Sequence, residues 1–177
     1  MKSKVKDFTI IKSEIIDELI IFKPSVNIDS RGSIYSTFHK DVFQDFIPKD
    51  LSFKHDKFSE STASVLRGIH GDIKSWKLVT CVYGEVFQVV VDCRPDSPTY
   101  LKWEGFLINK ENPISVLLTP GMGNAFYVTG EKAVYHYKLA YSGEYLDAQD
   151  QFTLKWNDPA VGIKWPNNNP VLSDRDK

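Results

Sequence analysis

The sequence predicts an all-β fold, a jelly-roll sandwich or barrel, on three observations. Short apolar runs rich in β-branched and aromatic residues recur along the chain, turn signals separate them at short intervals, and only one segment shows helical apolar spacing. The runs are, in order, DELIIFKPSV, GSIYSTFH, LSFKHDKFSE, ASVLRGIH, KLVTCVYGEVFQVVVDCR, YLKWEGFLIN, ISVLLTP, NAFYVTG and AVYHYKLAY. Between them DSRG, YGE, PDSPT, NKENP, PGMGN and TGEK supply the Gly, Pro, Asn and Asp that turns require. The helix is KDVFQDFI, residues 40–47. No repeat, linker or low-complexity stretch divides the chain, so a single domain over residues 1–177 is expected.

Strand parity describes the interior. In GEVFQVVVDCR, Val86, Gln88, Val90 and Asp92 share one face, and Phe87, Val89, Val91 and Cys93 share the other. One face is wholly apolar and its opposite is mixed, which implies a barrel with a polar-lined mouth; parity does not say which face looks inward. KLVTCV groups Lys77 with Val79 and Cys81, and AVYHYKLAY groups Tyr135, Tyr137 and Leu139 opposite His136 and Lys138.

With 42% hydrophobic and 13% aromatic residues, the 177-residue chain can bury a substantial core. Its 22 basic and 23 acidic residues are spread evenly, which argues against a general nucleic-acid or membrane-surface binder. An anionic ligand must therefore meet a local cluster of cations. No apolar stretch approaches membrane-span length, and the start MKSKVKDFTIIKSEIIDELIIF is interrupted by charges, so a cytoplasmic location is expected. Cys81 and Cys93 lack metal-site spacing and read as buried, reduced strand thiols.

His39, His55, His70 and His136 form no His-X-His or His-X3-His pair, so nothing preorganises a metal site. No nucleophile elbow and no Gly-rich phosphate loop occur either. Acid–base chemistry remains. In VLRGIHGDIKSWKLV, residues 65–79, a histidine able to take a carbon-bound proton precedes a lysine able to hold the enolate oxygen. His70 and Lys77 have those types. A strand-end histidine bonded to a carbonyl, beside a lysine reaching to solvent, has the same types, and the residues alone leave both readings open.

VLRGIH, KLVTCVYGEVFQVVVDCRPDSPTY, PGMGNAF, YHYKLAY, WNDPAVGIKWP and PVLSDRD resemble, in order and spacing, the dTDP-4-dehydrorhamnose 3,5-epimerase family of cupin-like jelly rolls. The resemblance runs from about DSRGSIYSTF to the end of the sequence. FKHDKF, RGIHGD, KLVTCVYGE and YKLAYSGEYLDAQDQFT are similar to the branch that epimerises GDP-4-keto-heptoses in bacterial capsule pathways. It implies a nucleotide-diphosphate 4-keto sugar as substrate, inversion without metal or cofactor, and a homodimer in which N-terminal strands complete the partner's pocket. His70 is then the base and Asp176 its paired carboxylate, although Asp176 is penultimate and a frayed tail is the plain alternative. Lys77 faces the C4 oxygen, and Tyr137 stands on the opposite face of the sugar to return a proton. Arg67 and Arg31 match arginines that contact diphosphate or sugar, and His55, Asp56 and Lys57 match polar substrate contacts, which solvated charges on an edge strand would also resemble.

The chain departs from the family pattern twice. Asn124 stands in a segment where relatives usually carry a histidine, and Gln88 where many carry an aspartate able to pair with the lysine. Both are expected near the substrate. Their replacement favours inversion at C3, with C5 as the open second centre, and is expected to leave Lys77 less restrained. A 3,4-ketoisomerase of a nucleotide sugar and a non-catalytic sugar-nucleotide-binding cupin are the rival readings.

Overall fold

The computed structural model describes residues 7–177; residues 1–6, part of the start read above for targeting, lie outside it. Strands β1 (Phe8–Lys12), β2 (Ile20–Pro24), β3 (Asn27–Asp29) and β4 (Gly32–Ile34) precede the helix α1 (Lys40–Phe43), which runs on as a 3-10 turn, Gln44–Phe46. Then follow β5 (Phe53–Thr62), β6 (Leu66–Gly71), β7 (Trp76–Tyr83), β8 (Val86–Asp92) and β9 (Trp103–Ile108). Strands β10 (Ser115–Leu118), β11 (Met122–Val128), β12 (Lys132–Ala140) and β13 (Phe152–Thr153) complete the set. A six-stranded sheet, β1-β2-β10-β7-β12-β5, packs on a five-stranded sheet, β13-β6-β11-β8-β9, and β3–β4 is a separate hairpin. Among the described residues no helix is long and apolar enough to cross a membrane.

The predicted runs map onto β2 and β4 to β12, with YGE dividing the longest run at Gly84. Sequence reasoning missed β1, β3 and β13. β1 is largely exposed, while β3 and β13 are too short to show a period. Cys81 lies in β7, Cys93 lies one residue past β8, both thiols are free, and burial pushes each up to about 11.

The mixed face of β8 is the inward one. Val86 and Val90 join Val79, Val116, Phe126 and Tyr135 between the sheets, whereas Phe87, Val89, Val91 and Cys93 face outward. That wholly apolar outer face is covered by Leu154, Val161, Ile163 and Trp165 of the C-terminal segment. The outer face of the other sheet, through Phe22, Leu78 and Leu117, is covered by Phe43 and Ile47 of the helical segment. The central strands of both sheets are therefore buried on two sides, and the C-terminal segment is held where its last residues reach the barrel mouth.

One irregularity sets the mouth. Across β6 and β11, His70 pairs with Asn124 and Arg67 with Phe126, so Gly68 and Ile69 together oppose Ala125 alone. Residues three apart on a regular strand point to opposite faces; the bulge adds one residue and turns Arg67 and His70 to the same side. Gly68 has φ +124°, and a Cβ there would lie 2.5 Å from Ala125 Cβ. Gly68→Ala is expected to cost about 2 kcal/mol or more and to lower Tm by roughly 5 °C, measured by thermal unfolding. An unchanged Tm would mean the bulge tolerates a side chain.

Candidate active site

The mouth between the sheets holds a cavity of about 260 Å³. Lys57 and Ser59 enter it from β5, Arg67 and His70 from β6, Lys77 from β7, Asn124 from β11, and Tyr137 and Leu139 from β12. Tyr145, Gln151, Ser173, Arg175 and Asp176 close it from the C-terminal segment. His70, Lys77, Tyr137, Asp176, Arg67, Lys57 and Asn124 are thus brought together.

His70 and Asp176 form a hydrogen-bonded pair, with Nε2 2.6 Å from Oδ1. Ser173 Oγ donates to the second carboxylate oxygen at 2.8 Å. The tail is fixed: Val171 N donates to Ser64 O, Leu66 N donates to Val171 O, and Asp176 is buried in a 3-10 turn. Burial raises the Asp176 carboxyl, but the bonds from His70 and Ser173 and the charge of Arg175 outweigh it, leaving it below the usual carboxylate range. It is ionised at neutral pH and can orient the imidazole and stabilise an imidazolium.

Lys77 is buried and paired, with Nζ 3.0 Å from Asp72 Oδ2. Asp72 is itself held by the backbone N–H groups of Lys74 and Ser75, at 2.9 and 2.6 Å. Lys77 therefore keeps its restraint, contrary to the expectation from Gln88. Sequence reasoning passed over Asp72, which sits two residues after His70 in the turn that carries the chain from β6 in one sheet to β7 in the other. Burial pulls the Lys77 ammonium below its ordinary value and Asp72 opposes that pull. Burial also pushes the Tyr137 phenol well up, against the nearby charge of Arg67. Tyr137 thus stays protonated at neutral pH and is able to donate.

The other cations are loosely held. Arg67 Nε donates to Ser61 Oγ at 2.9 Å, Arg175 Nε donates to Thr153 Oγ1 at 3.0 Å, and Lys57 stands 3.7 Å from Asp147. Their charges exceed that of Asp176 and suit an anionic ligand. Arg175, in the same PVLSDRD motif as Asp176, is a further cavity cation that sequence reasoning missed, as are the lining residues Tyr145 and Gln151.

Four expected residues lie elsewhere. Arg31 is on the β3–β4 hairpin, 88% exposed and paired with Asp29. His55 packs against Tyr145, with ring centroids 4.9 Å apart, behind the cavity wall. Gln88 is fully buried inside the wall and bonds Asn124, not Lys77. Asp56 points to the outer face, where it meets His136 and Lys138 at 2.7 and 2.6 Å. Among the described residues no cluster of three or more His, Cys, Asp or Glu is placed to hold a metal ion.

The family model for dTDP-4-dehydrorhamnose 3,5-epimerase matches residues 13–177. The chain belongs to that family. It is 37% identical to the dTDP-4-dehydrorhamnose 3,5-epimerase of Shigella flexneri, over 94% of this chain and 92% of that one. It is also 37% identical to a dTDP-4-dehydrorhamnose 3-epimerase of Streptomyces niveus, over 87% of this chain and 74% of the relative. The structure is similar, with a TM-score of 0.86 and 34% identity, to a dTDP-6-deoxy-D-glucose 3,5-epimerase of Legionella pneumophila solved with dTDP-4-keto-L-rhamnose. That match covers 96% of this chain and 90% of the other. This epimerase is an isomerase acting on nucleotide sugars, with the cupin-like fold of its structural relatives.

The ion pair of this epimerase sets a testable titration. Asp72 holds the Lys77 pKa up against burial, so Asp72→Asn lowers it further and Lys77 loses its proton at a lower pH. The 15N shift of Lys77 Nζ followed against pH reads this directly. The variant is also expected to lose about 3 kcal/mol of stability from the broken buried pair. An unmoved Lys77 midpoint would count against the pairing.

Proposed function

We propose that the chain inverts a carbon next to the keto group of a nucleotide-diphosphate 4-keto sugar through an enolate. The observation that carries this reading is the His70–Asp176 pair facing the same cavity as the buried Lys77 and the protonated Tyr137. His70 takes the proton from C3. The C–H electron pair forms the C3–C4 double bond while the carbonyl π pair moves onto O4, beside the Lys77 ammonium. Asp176 stabilises the imidazolium. Tyr137 then gives its proton to C3 from the other face, the carbonyl re-forms, and solvent restores both groups. Lys57, Arg67 and Arg175 hold the diphosphate.

The relatives' names support a dTDP-linked 4-keto-6-deoxyhexose as the substrate, with dTDP-4-keto-6-deoxyglucose the first to test. A GDP-4-keto-heptose of a capsule pathway is the second reading, favoured by FKHDKF and KLVTCVYGE; none of the relatives named above carries that substrate in its name. Those relatives include both 3,5- and 3-epimerases. The uncharged Asn124 beside His70 favours C3. In a homodimer, the β3–β4 hairpin would carry Arg31 to the partner's pocket, which accounts for an exposed arginine flanked by Ile28 and Ile34 at 79% and 62% exposure.

Proton NMR in D2O, with each nucleotide sugar in turn, follows loss of the C3 and C5 signals. Exchange at C3 alone fits a single-centre epimerase, exchange at both a 3,5-epimerase, and a carbonyl carbon moved to C3 the ketoisomerase. Binding without exchange would sink the proposal in favour of a binding module. His70→Asn is expected to cut exchange by about 10³-fold while dTDP binding holds; wild-type turnover would remove His70 as the base. In Tyr137→Phe, epimerisation should fall about 10²-fold with exchange far less affected, because removal and return use different faces. Equal loss of both would contradict the two-face scheme.

A further inference from the structure

Gln88 and Asn124 form one unit inside the cavity wall. Gln88 Nε2 donates to Asn124 Oδ1 at 2.7 Å and to Val89 O at 3.2 Å. Tyr135 Oη donates to Gln88 Oε1 and also lies 3.2 Å from Asn124 Oδ1. Gln88 and Tyr135 are fully buried, and the Tyr135 ring is stacked on Phe126 with centroids 4.2 Å apart. Every polar end of Gln88 is therefore engaged, and the oxygen of Asn124 is turned into the wall. Asn124 Nδ2 has no partner among the described residues, yet it is not one of the buried polar atoms left unpaired. It opens onto the cavity that Asn124 lines, directly across the strand pair from His70.

An amide held this way offers N–H donors to the cavity and nothing else. It can bind an oxygen of the sugar but cannot take up a proton beside the base. We infer that Asn124 is a specificity-determining residue that donates to a hydroxyl or keto oxygen of the sugar, and that Gln88 and Tyr135 are positioning residues holding it in that orientation. The inference rests on the nucleotide-sugar reading given above. If the Gln88 donor is lost, the Asn124 amide has a reason to turn over, giving its N–H to the wall and presenting an oxygen to the substrate.

Gln88→Glu tests this with almost no change in shape. At pH 8.5 an ionised Glu side chain only accepts, so KM for dTDP-4-keto-6-deoxyglucose should rise roughly 5- to 20-fold with kcat within about twofold. Binding of dTDP, which has no sugar ring, should not change. As pH falls the buried carboxyl is protonated, can donate to Asn124 again, and the KM defect should shrink. An unchanged KM, or a matching loss of dTDP binding, overturns the inference. Side-chain amide exchange in 15N-labelled protein tests the orientation without a substrate: the Gln88 NH2 should exchange slowly with water and the Asn124 NH2 quickly, and the reverse order overturns it. Wild-type protein inert toward both nucleotide sugars overturns the proposed function and with it the sugar as the ligand of Asn124, while the exchange order still decides how the amide is held.

Discussion

The hydrogen bond between His70 and Asp176 joins residues 106 positions apart, and the cavity depends on what brings them together. His70 is placed by a bulge in a strand buried within its sheet. Asp176 is placed by a segment with almost no regular structure of its own. That segment is anchored by apolar contact: Val161, Ile163 and Trp165 cover the outer face of β8, and Trp165 Nε1 donates to Trp156 O at 2.7 Å. The short strand β13 and the Val65–Val171 bridge then add backbone pairing to either end of β6. Covering the hydrophobic outer face thus has a chemical result, since it delivers Ser173, Arg175 and Asp176 to the mouth.

Electrostatics divides the cavity by depth. Lys77, deep in the wall, carries its own counter-ion, and Asp72 is in turn satisfied by two backbone N–H groups. Such a charge is fixed in direction and poorly screened, which suits a reacting oxygen that becomes negative only during the reaction. Lys57, Arg67 and Arg175 lie nearer the surface with weak or neutral partners. Long side chains of this kind can turn toward a bound anion without breaking a buried pair, so they suit a permanently charged diphosphate. A chain of nearly zero net charge can in this way hold a dianion through local arrangement.

Much of this was legible in the sequence, and the rest fails for identifiable reasons. Alternation in AVYHYKLAY correctly separated Tyr135 and Tyr137 from His136 and Lys138, because a strand packed between two different environments records them in its period. β8 left its orientation open: its wholly apolar face lies under the C-terminal segment, and its mixed face turns inward because Gln88 and Asp92 each find hydrogen-bond partners, buried Asn124 and Tyr135 for Gln88 and half-buried Arg94 for Asp92. The bulge was invisible, since it is a matter of register against β11; only the family resemblance placed Arg67 and His70 in one site. Asp72 had no period or motif to mark it, and its pairing with Lys77 appears only when the β6–β7 turn closes. The two departures at Gln88 and Asn124 looked independent and are one hydrogen-bonded pair.

The two-sheet architecture bears on the proposed chemistry more directly than any single residue. His70 and Asn124 belong to the five-stranded sheet, and Lys77 and Tyr137 to the six-stranded one. A flat enolate held between the sheets would present one face to each. Inversion requires that a proton leave from one face and arrive at the other, and a base and an acid on a single sheet would favour return to the same side. With the proposed base, His70, on one sheet and the buried phenol of Tyr137 on the other, the packing would give opposite-face delivery without any motion of the backbone. The β6 bulge is what allows this sheet to supply both the histidine and an arginine at the same mouth, so a local insertion in one strand and the separation of two sheets together define the site.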